Sequence, residues 1–242
     1  MSKTPPPSAL VHSVETFGTV DGPGIRYVLF LQGCKLACKY CHNKDACLFN
    51  RGTIMDAEDI IKQVKRYREY LIASHGGVTV SGGEPLLQPD FLEYFFKRLG
   101  EYNIHRAIDT AGAVEISDEI KRVIKLTDLV LLDIKHINNE KCINLTGQSN
   151  NLTIEFARFL SMNDVPIWIR QVIVPGLTDD EKDLNDLRKF IQTLNNVQKV
   201  ELLPYHNMGE HKWKELGIKY PLKNVREANN EDIERAKEIL KI

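Results

Sequence analysis

Residues 25–43 read IRYVLFLQGCKLACKYCHN, an apolar run that leads directly into a cysteine-rich loop. Its first part, residues 25–31, is rich in β-branched and aromatic residues and predicts a strand. The loop holds three of the five cysteines, Cys34, Cys38 and Cys41, in the spacing C-x3-C-x2-C. Three thiolates in one tight loop suit an iron–sulfur cluster, because soft sulfur ligands favour cluster iron. Three ligands for four irons leave one iron open, and open positions are typical of catalytic metal sites.

Zinc and disulfide chemistry fit the loop less well. A zinc-stabilised binding module would usually show a second C-x2-C pair or added histidines. A disulfide framework fits poorly, because the cysteine count is odd and no signal peptide begins the chain. Cys47 could instead act as a fourth ligand, which would give a non-catalytic electron carrier or sensor, and His42 is a weaker candidate for that role. The spacing of the three cysteines in the loop favours a cluster with one open iron over these alternatives.

The amino-acid composition limits the classes of partner that the protein can be expected to bind. The 242 residues carry 32 basic and 33 acidic side chains, a net charge of -1, so no global basic field suggests nucleic acid. No apolar run reaches membrane-spanning length, and the polar, proline-rich start does not resemble a secretory signal. We therefore expect a cytoplasmic protein that binds neither nucleic acid nor membrane. Reduced thiols and a cluster agree with that compartment.

Strands and helices alternate along the chain. Strands are predicted at 25–31, 77–81, 103–109, 129–134, 165–174 and 197–203. Helices are predicted at 56–74, 89–99, 115–126, 151–163, 179–194 and within 228–242. This order predicts an α/β fold with parallel strands and outer helices. A partial (β/α)6 TIM-like barrel fits better than a closed eight-fold barrel, which needs more chain. We expect a single domain over residues 1–242, with a flexible lead-in at 1–10.

Polar residues follow the predicted strands, at the ends where parallel barrels gather their active sites. Asp133 and Lys135 lie two apart and so share one face of a strand; an internal ion pair that holds the barrel together is the alternative to a functional role. A structural turn is likewise an alternative for Gly82-Gly83-Glu84, and Arg170 could pair with a structural carboxylate. The polar ends are Ser81-Gly82-Gly83-Glu84-Pro85, Asp109-Thr110-Ala111-Gly112, Asp133-Ile134-Lys135, Arg170-Gln171 and Leu203-Pro204-Tyr205-His206.

The cysteine spacing, with the aromatic Tyr40 just before the third cysteine, resembles the radical S-adenosylmethionine enzymes. In that family the open iron of a 4Fe-4S cluster is chelated by the amino and carboxylate groups of S-adenosylmethionine. One electron from the cluster then cleaves the cofactor, and the resulting 5′-deoxyadenosyl radical abstracts a hydrogen atom.

Further segments resemble one family more closely, the pyruvate formate-lyase activating enzymes, which are activases of glycyl-radical enzymes. The resemblance implies an anaerobic oxidoreductase that installs a glycyl radical on pyruvate formate-lyase, with flavodoxin or ferredoxin as electron donor. An activase of another glycyl-radical enzyme, or a radical enzyme that acts on a small molecule, is the nearest alternative. Related activases carry a ferredoxin-like insert that this chain does not show. The matching segments are 18–26, 34–43, 81–85, 133–135, 168–176, 201–206 and His211-Lys212-Trp213.

The same resemblance implies roles for individual residues. Cys34, Cys38 and Cys41 would ligate the cluster, and Asp21 would contact the loop of the substrate protein. A monovalent cation, sodium or potassium, would lie beside the cofactor carboxylate at Asp109, Thr110, Leu131 and Asp133. The cofactor itself would contact Tyr40, Gly82, Gly83, Glu84, Asp109, Asp133, Lys135, Arg170, Val172, Leu203 and His206.

This chain departs from the family at three positions. Ala111 stands where the family often has asparagine, which weakens a polar role there but leaves Asp109 unaffected. Cys47 and Cys142 match no family cysteine, and we expect both to be small buried thiols.

Overall fold

A computed structural model of the protein describes residues 5–242. The strands are β1 (Ser8–Gly18), β2 (Arg26–Leu31), β3 (Thr53–Asp56), β4 (Gly77–Gly82), β5 (His105–Thr110), β6 (Leu129–Asp133), β7 (Ile167–Ile173) and β8 (Val197–Pro204). The α-helices are α1 (Ala57–Ala73), α2 (Pro89–Glu101), α3 (Asp118–Ile124), α4 (Asn139–Thr146), α5 (Asn151–Met162), α6 (Glu181–Ile191), α7 (Glu210–Glu215) and α8 (Asn230–Leu240).

Among residues 5–242, hydrogen bonds join the strands in the order β3-β1-β2-β4-β5-β6-β7-β8, so the sheet that these residues form has two ends and is not closed. The pairs β2–β4, β4–β5 and β7–β8 are parallel. All six predicted strands are present, as β2 and β4 to β8. The predicted α/β class, with a partial (β/α)6 arrangement of parallel strands and helices, is confirmed.

Strands β1 and β3 were not expected, and they correct the predicted lead-in. Residues 1–4 of that lead-in lie outside the described residues, but Ser8 already pairs with Asp56 on β3. Ala9 and Val11 are buried in alternation with more exposed neighbours, which is the period of a half-buried strand. Strand β1 pairs antiparallel with β2 and ends at Gly18.

Two compact units divide the chain. The first comprises residues up to 34, 46–110 and 115–131, and the second comprises 35–45, 111–114 and 132–242. In the first unit, Val78 and Val80 are buried on one face of β4, on the side of α1. Thr79 lies on the opposite face and accepts a hydrogen bond from Arg26 at 2.9 Å. This alternation leaves one face of the parallel strands for polar side chains.

The core of the second unit lies between β7 and the helices. Ile167 and Ile169 on β7 and Phe156 and Leu160 on α5 are fully buried. The final helix α8 begins with a capping box between Asn229 and Asp232 and packs against α6 and β8. Within residues 5–242, no helix is both long and apolar enough to cross a bilayer.

Candidate active site

The cysteine loop begins immediately after β2, and its first residues lie in the first unit. Gly33 donates its main-chain N–H to Ala46 at 2.7 Å, and Cys34 donates to the carbonyl of Cys47 at 3.2 Å. Glu84 donates its N–H to the carbonyl of Gly33 at 2.8 Å. A Cβ atom at Gly83 would lie 2.1 Å from that same carbonyl oxygen. The second glycine of the Gly82-Gly83-Glu84 segment is therefore required for close backbone approach to the loop.

The rest of the loop lies in the second unit, against the carboxyl end of α4. Ala37 donates its N–H to Thr146 at 2.7 Å, and Lys39 donates to Leu145 at 2.9 Å. These are two of the helix-terminal carbonyls that lack a partner within the helix. The N–H of Cys41 returns to the carbonyl of Cys38 at 3.1 Å, which makes a tight turn between the second and third cysteines.

The five cysteines differ in exposure. Cys34 and Cys41 are half-buried and Cys38 is buried. Cys142 is buried on α4, where desolvation raises the pKa of its thiol. Cys47 is only half-buried, so the expectation of a buried thiol is correct for Cys142 and wrong for Cys47. Cys47 ends a 3-10 turn, Lys44–Cys47, and its carbonyl accepts the N–H of Cys34.

Two short hydrogen bonds connect the polar ends of β4 and β5 in the first unit. Ser81 donates its hydroxyl to Asp109 at 2.8 Å, and Thr110 donates its hydroxyl to Glu84 at 2.6 Å. Glu84 is 4 % exposed and also accepts the N–H of Leu86 at 3.1 Å. These two hydrogen bonds offset part of the cost of burying the Glu84 carboxyl group.

In the second unit, Tyr40, Asp133 and Lys135 lie together. The Lys135 ammonium is 2.8 Å from the Asp133 carboxylate and 5.9 Å from the centre of the Tyr40 ring. Burial acts to lower the pKa of Lys135, but Asp133 and the groups around it raise the pKa well above its usual value. The ammonium is therefore charged at neutral pH. The internal ion pair considered from the sequence is present.

Arg170 on β7 likewise has a carboxylate partner. Its Nε lies 3.2 Å from Glu201 on β8, and both side chains are largely buried. Val172 and Leu203 are partners in the parallel β7–β8 ladder, so these two predicted cofactor contacts are adjacent. The sequence does not identify Glu201 as the partner of Arg170, because no pattern of neighbouring residues indicates which distant side chain a carboxylate on a strand will contact.

His206 follows β8 and packs against His42, with ring centres 4.0 Å apart. Burial, with His42 nearby, lowers the pKa of His206, so its ring is neutral at neutral pH. The buried Nδ1 of His206 has no hydrogen-bond partner among residues 5–242, and the same is true of the Tyr40 hydroxyl. Burial raises the pKa of Tyr40 well above its usual value, so that hydroxyl keeps its proton.

Asp21 lies at the other end of the strands in the first unit. Its carbonyl accepts the Thr79 hydroxyl at 2.6 Å, and the turn that contains it precedes Arg26, where β2 begins. Burial lowers the pKa of Arg26 to about 10, against the opposing effect of Asp128 and Asp21. Thr79 lies two residues before Ser81 on the same face of β4, and Ser81 bonds to Asp109. Asp21, which bonds to Thr79, therefore lies nearer the amino end of β4 than the Ser81–Asp109 pair does.

Comparison with known proteins identifies the family. A model of the Radical SAM superfamily matches residues 28–187. The pyruvate formate-lyase-activating enzyme of Listeria monocytogenes is 50% identical over 235 residues, 95% of each chain. That of Staphylococcus epidermidis is 51% identical over 232 residues, 93% of this chain and 92% of that protein. The chain belongs to the pyruvate formate-lyase-activating enzymes of the radical SAM superfamily.

Solved structures agree with this family. A domain of the pyruvate-formate lyase-activating enzyme of Bacteroides vulgatus superposes with a TM-score of 0.58 at 28% identity, over 69% of this chain and 93% of that domain. Streptococcus suis SuiB bound to its precursor peptide SuiA superposes with a TM-score of 0.67 at 17% identity, over 91% of this chain and 46% of that chain. The second similarity concerns the fold only.

Radical SAM enzymes use a 4Fe-4S cluster and S-adenosylmethionine, and the residues of this chain fit both groups. Three thiols in one loop are a suitable donor set for a cluster. Among residues 5–242, no three His, Cys, Asp or Glu side chains converge on a single metal position. A cluster does not need such convergence, because each thiolate binds a different iron. The unpartnered Tyr40 hydroxyl and His206 Nδ1 are buried polar atoms for which a bound cofactor would supply partners.

Proposed function

We propose that this chain installs a glycyl radical on pyruvate formate-lyase. The observation that carries the proposal is the 50% identity over 95% of the chain to a curated activating enzyme, with the coverage equally complete on the relative. The cysteine loop is intact within that matched length. When bound, the cluster and S-adenosylmethionine would supply the one-electron radical chemistry that removes a hydrogen atom from the glycine backbone.

We assign the cluster to Cys34, Cys38 and Cys41, the three thiols of the loop. Glu84 and the main chain of Gly82 and Gly83 are suited to bind the ammonium of the cofactor's methionine part, since Glu84 is a buried carboxylate that accepts hydrogen bonds from Leu86 and Thr110. The glycines bring main-chain atoms close to the start of the loop.

We assign the cofactor carboxylate to Lys135, whose ammonium remains charged beside Asp133. An ammonium has three N–H donors, so the bond to Asp133 does not use its full capacity. Tyr40 and His206 would contact the adenosyl part, with Arg170, Val172 and Leu203 along its side. A monovalent cation at Asp109, Thr110, Leu131 and Asp133 remains a proposal by resemblance.

The partners are proposed on the same basis. Asp21 would contact the glycine-bearing loop of pyruvate formate-lyase, from a turn in which its main-chain carbonyl accepts the Thr79 hydroxyl. Flavodoxin or ferredoxin would supply the electron. We place the protein in the cytoplasm of an anaerobically growing cell, because a glycyl radical and a reduced cluster are both sensitive to oxygen.

Anaerobic electron paramagnetic resonance tests the proposal. The reconstituted protein is reduced in the presence of S-adenosylmethionine and a pyruvate formate-lyase, and the partner is examined for a glycyl radical. We expect the signal with the wild type and with Cys142→Ser, and its loss with Cys38→Ala. Cofactor cleavage without a glycyl signal would reject this partner in favour of another glycyl-radical enzyme or a small molecule. A reduced cluster without any cleavage would favour the electron-carrier or sensor.

A further inference from the structure

The segment that carries the third cysteine is held from outside by α7. The indole Nε1 of Trp213 donates a hydrogen bond to the carbonyl of Cys41 at 2.9 Å. The neighbouring Lys212 donates to Asn43 at 2.9 Å and forms an ion pair with Asp45 at 3.1 Å. Consecutive residues of one helix thus bind three positions of residues 41–45.

Trp213 is itself rigidly placed. Its side chain is 4 % exposed, packs edge-on against Tyr220 with ring centres 5.6 Å apart, and lies under the Lys44 ammonium at 4.8 Å. An indole has one hydrogen-bond donor and no acceptor. Because the Trp213 ring is fixed on several sides, its N–H points in one direction, toward the peptide carbonyl of Cys41.

The chain before α7 adds a second, independent constraint on the next residue. His42 bonds through Nε2 to the carbonyl of His206 at 2.9 Å. A Cβ atom at Gly209 would lie 2.7 Å from the Cα of His42, so the two main chains are in close contact. Residues 41–45 are therefore contacted by His206, Gly209, Lys212 and Trp213.

The other side of the loop is held by main-chain bonds to α4, at Ala37 and Lys39. The second and third cysteines thus lie between two anchors, one formed by backbone carbonyls and one by the side chains of α7. The acceptor that this buried indole N–H has found is the carbonyl of the third cysteine of the loop.

We propose that Trp213 and Lys212 are positioning residues for the Cys41 thiolate, and that they set how firmly the cluster is retained and how readily it accepts an electron. This inference rests on the proposed function, because it takes Cys41 as a cluster ligand. The Trp213 N–H neutralises the partial negative charge of a carbonyl next to the cluster. Groups that orient a metal ligand from outside typically change metal affinity by about 10–100-fold when they are removed.

Trp213→Phe tests the inference, since it keeps an aromatic ring at this position but removes the N–H, and the control below removes the same atoms elsewhere. In the reconstituted holoenzyme we expect iron to be lost to a chelator on the order of 10-fold faster than in the wild type. We also expect a lower midpoint potential in a titration followed by electron paramagnetic resonance, because an unneutralised carbonyl disfavours the added electron. Trp168→Phe is the matched control, since Trp168 contacts Lys199 on β8 instead of the loop.

Equal rates and potentials in Trp213→Phe and the wild type would overturn the inference, as would equal changes in both tryptophan variants. If Trp213→Phe fails to fold, Lys212→Gln tests the inference by the same two measurements, the rate of iron loss and the midpoint potential. Both should recover toward the wild-type values in Lys212→Arg, which restores the positive charge. If the wild-type protein bound no cluster at all, the proposed function itself would be rejected. Iron analysis of the wild type shows this before any variant is compared.

Discussion

At the scale of single residues, the ion pair of Lys135 with Asp133 is compatible with the proposed role of Lys135 at the cofactor carboxylate. Its bond to Asp133 at 2.8 Å is the internal ion pair that the sequence suggested as an alternative to function. The same carboxylate raises the pKa of Lys135 against the effect of burial, so the ammonium remains available to an anionic ligand. A buried lysine without that partner would tend to lose its proton.

Cys47 separates the two cluster hypotheses at this scale. Its main chain pairs with Cys34, yet an open cluster does not need its thiol. We expect Cys47→Ala to bind the same amount of iron and sulfide per protein as the wild type, whereas Cys41→Ala should lose most of its cluster. The measurement is anaerobic iron and sulfide analysis after reconstitution. Loss of the cluster in Cys47→Ala would instead support a fourth thiolate ligand.

His136 predicts a pH dependence of stability. Its Nδ1 accepts the N–H of Asn138 at 3.0 Å and its Nε2 faces the carbonyl of Leu177 at 3.2 Å, which selects a neutral ring. Burial lowers its pKa, while Asp183 acts in the opposite direction and Lys141 adds to the lowering. A lowered histidine pKa gives stability that is present above about pH 6.5 and is lost as the pH falls.

We therefore expect the free energy of unfolding to fall between about pH 7 and about pH 5, and to fall less steeply in His136→Gln. Urea denaturation followed by circular dichroism at several pH values measures this. His211→Gln, at an exposed position, serves as the control and should keep the wild-type slope. Parallel pH profiles for the wild type and His136→Gln would contradict the assignment.

At the scale of elements, the sequence located the motifs but not the elements that support them. The strand before the cysteine loop and the polar strand ends were predicted from short-range patterns. Strand β1 was missed although Ala9 and Val11 show the alternation of a half-buried strand, because the proline-rich start of the chain suggested a flexible lead-in. Helix α7 was missed because it has only six residues, too few for a clear helical period.

Gly83→Ala tests the close approach of β4's end to the loop. The added Cβ would lie 2.1 Å from the Gly33 carbonyl and 2.9 Å from that of Ala46, both of them backbone atoms. We expect a loss of about 1–3 kcal/mol in unfolding free energy together with reduced cluster binding. Gly100→Ala on α2 is the control, since its Cβ would meet only the flexible end of Arg106. Equal behaviour of the two variants in urea unfolding would argue against a tight contact at Gly83.

At the scale of the whole molecule, the near-equal numbers of acidic and basic residues limit the kind of partner that the protein can recognise. The net charge of -1 produces no strong overall field, so recognition of a partner must depend on local complementarity. This agrees with a protein substrate whose loop is bound at one place. It does not suit a polyanion, which binds mainly through the release of counterions.

We accordingly expect no measurable affinity for a random-sequence DNA duplex at about 50 mM salt, where electrostatic binding would be strong. Fluorescence anisotropy of a labelled duplex, titrated with the protein under anaerobic conditions, provides the measurement. Salt-dependent binding would reveal a local basic patch and would contradict the expectation.

The sequence by itself determined the parallel α/β class, the cysteine loop after the first parallel strand and the family, because these depend on local periodicity and on spacing within short segments. Only the tertiary structure decided which groups support those motifs. Trp213 reaches the carbonyl of Cys41 from 172 positions away, and Lys39 bonds to the end of α4. Such contacts depend on how distant elements pack, and no local pattern encodes which distant carbonyl a donor will meet.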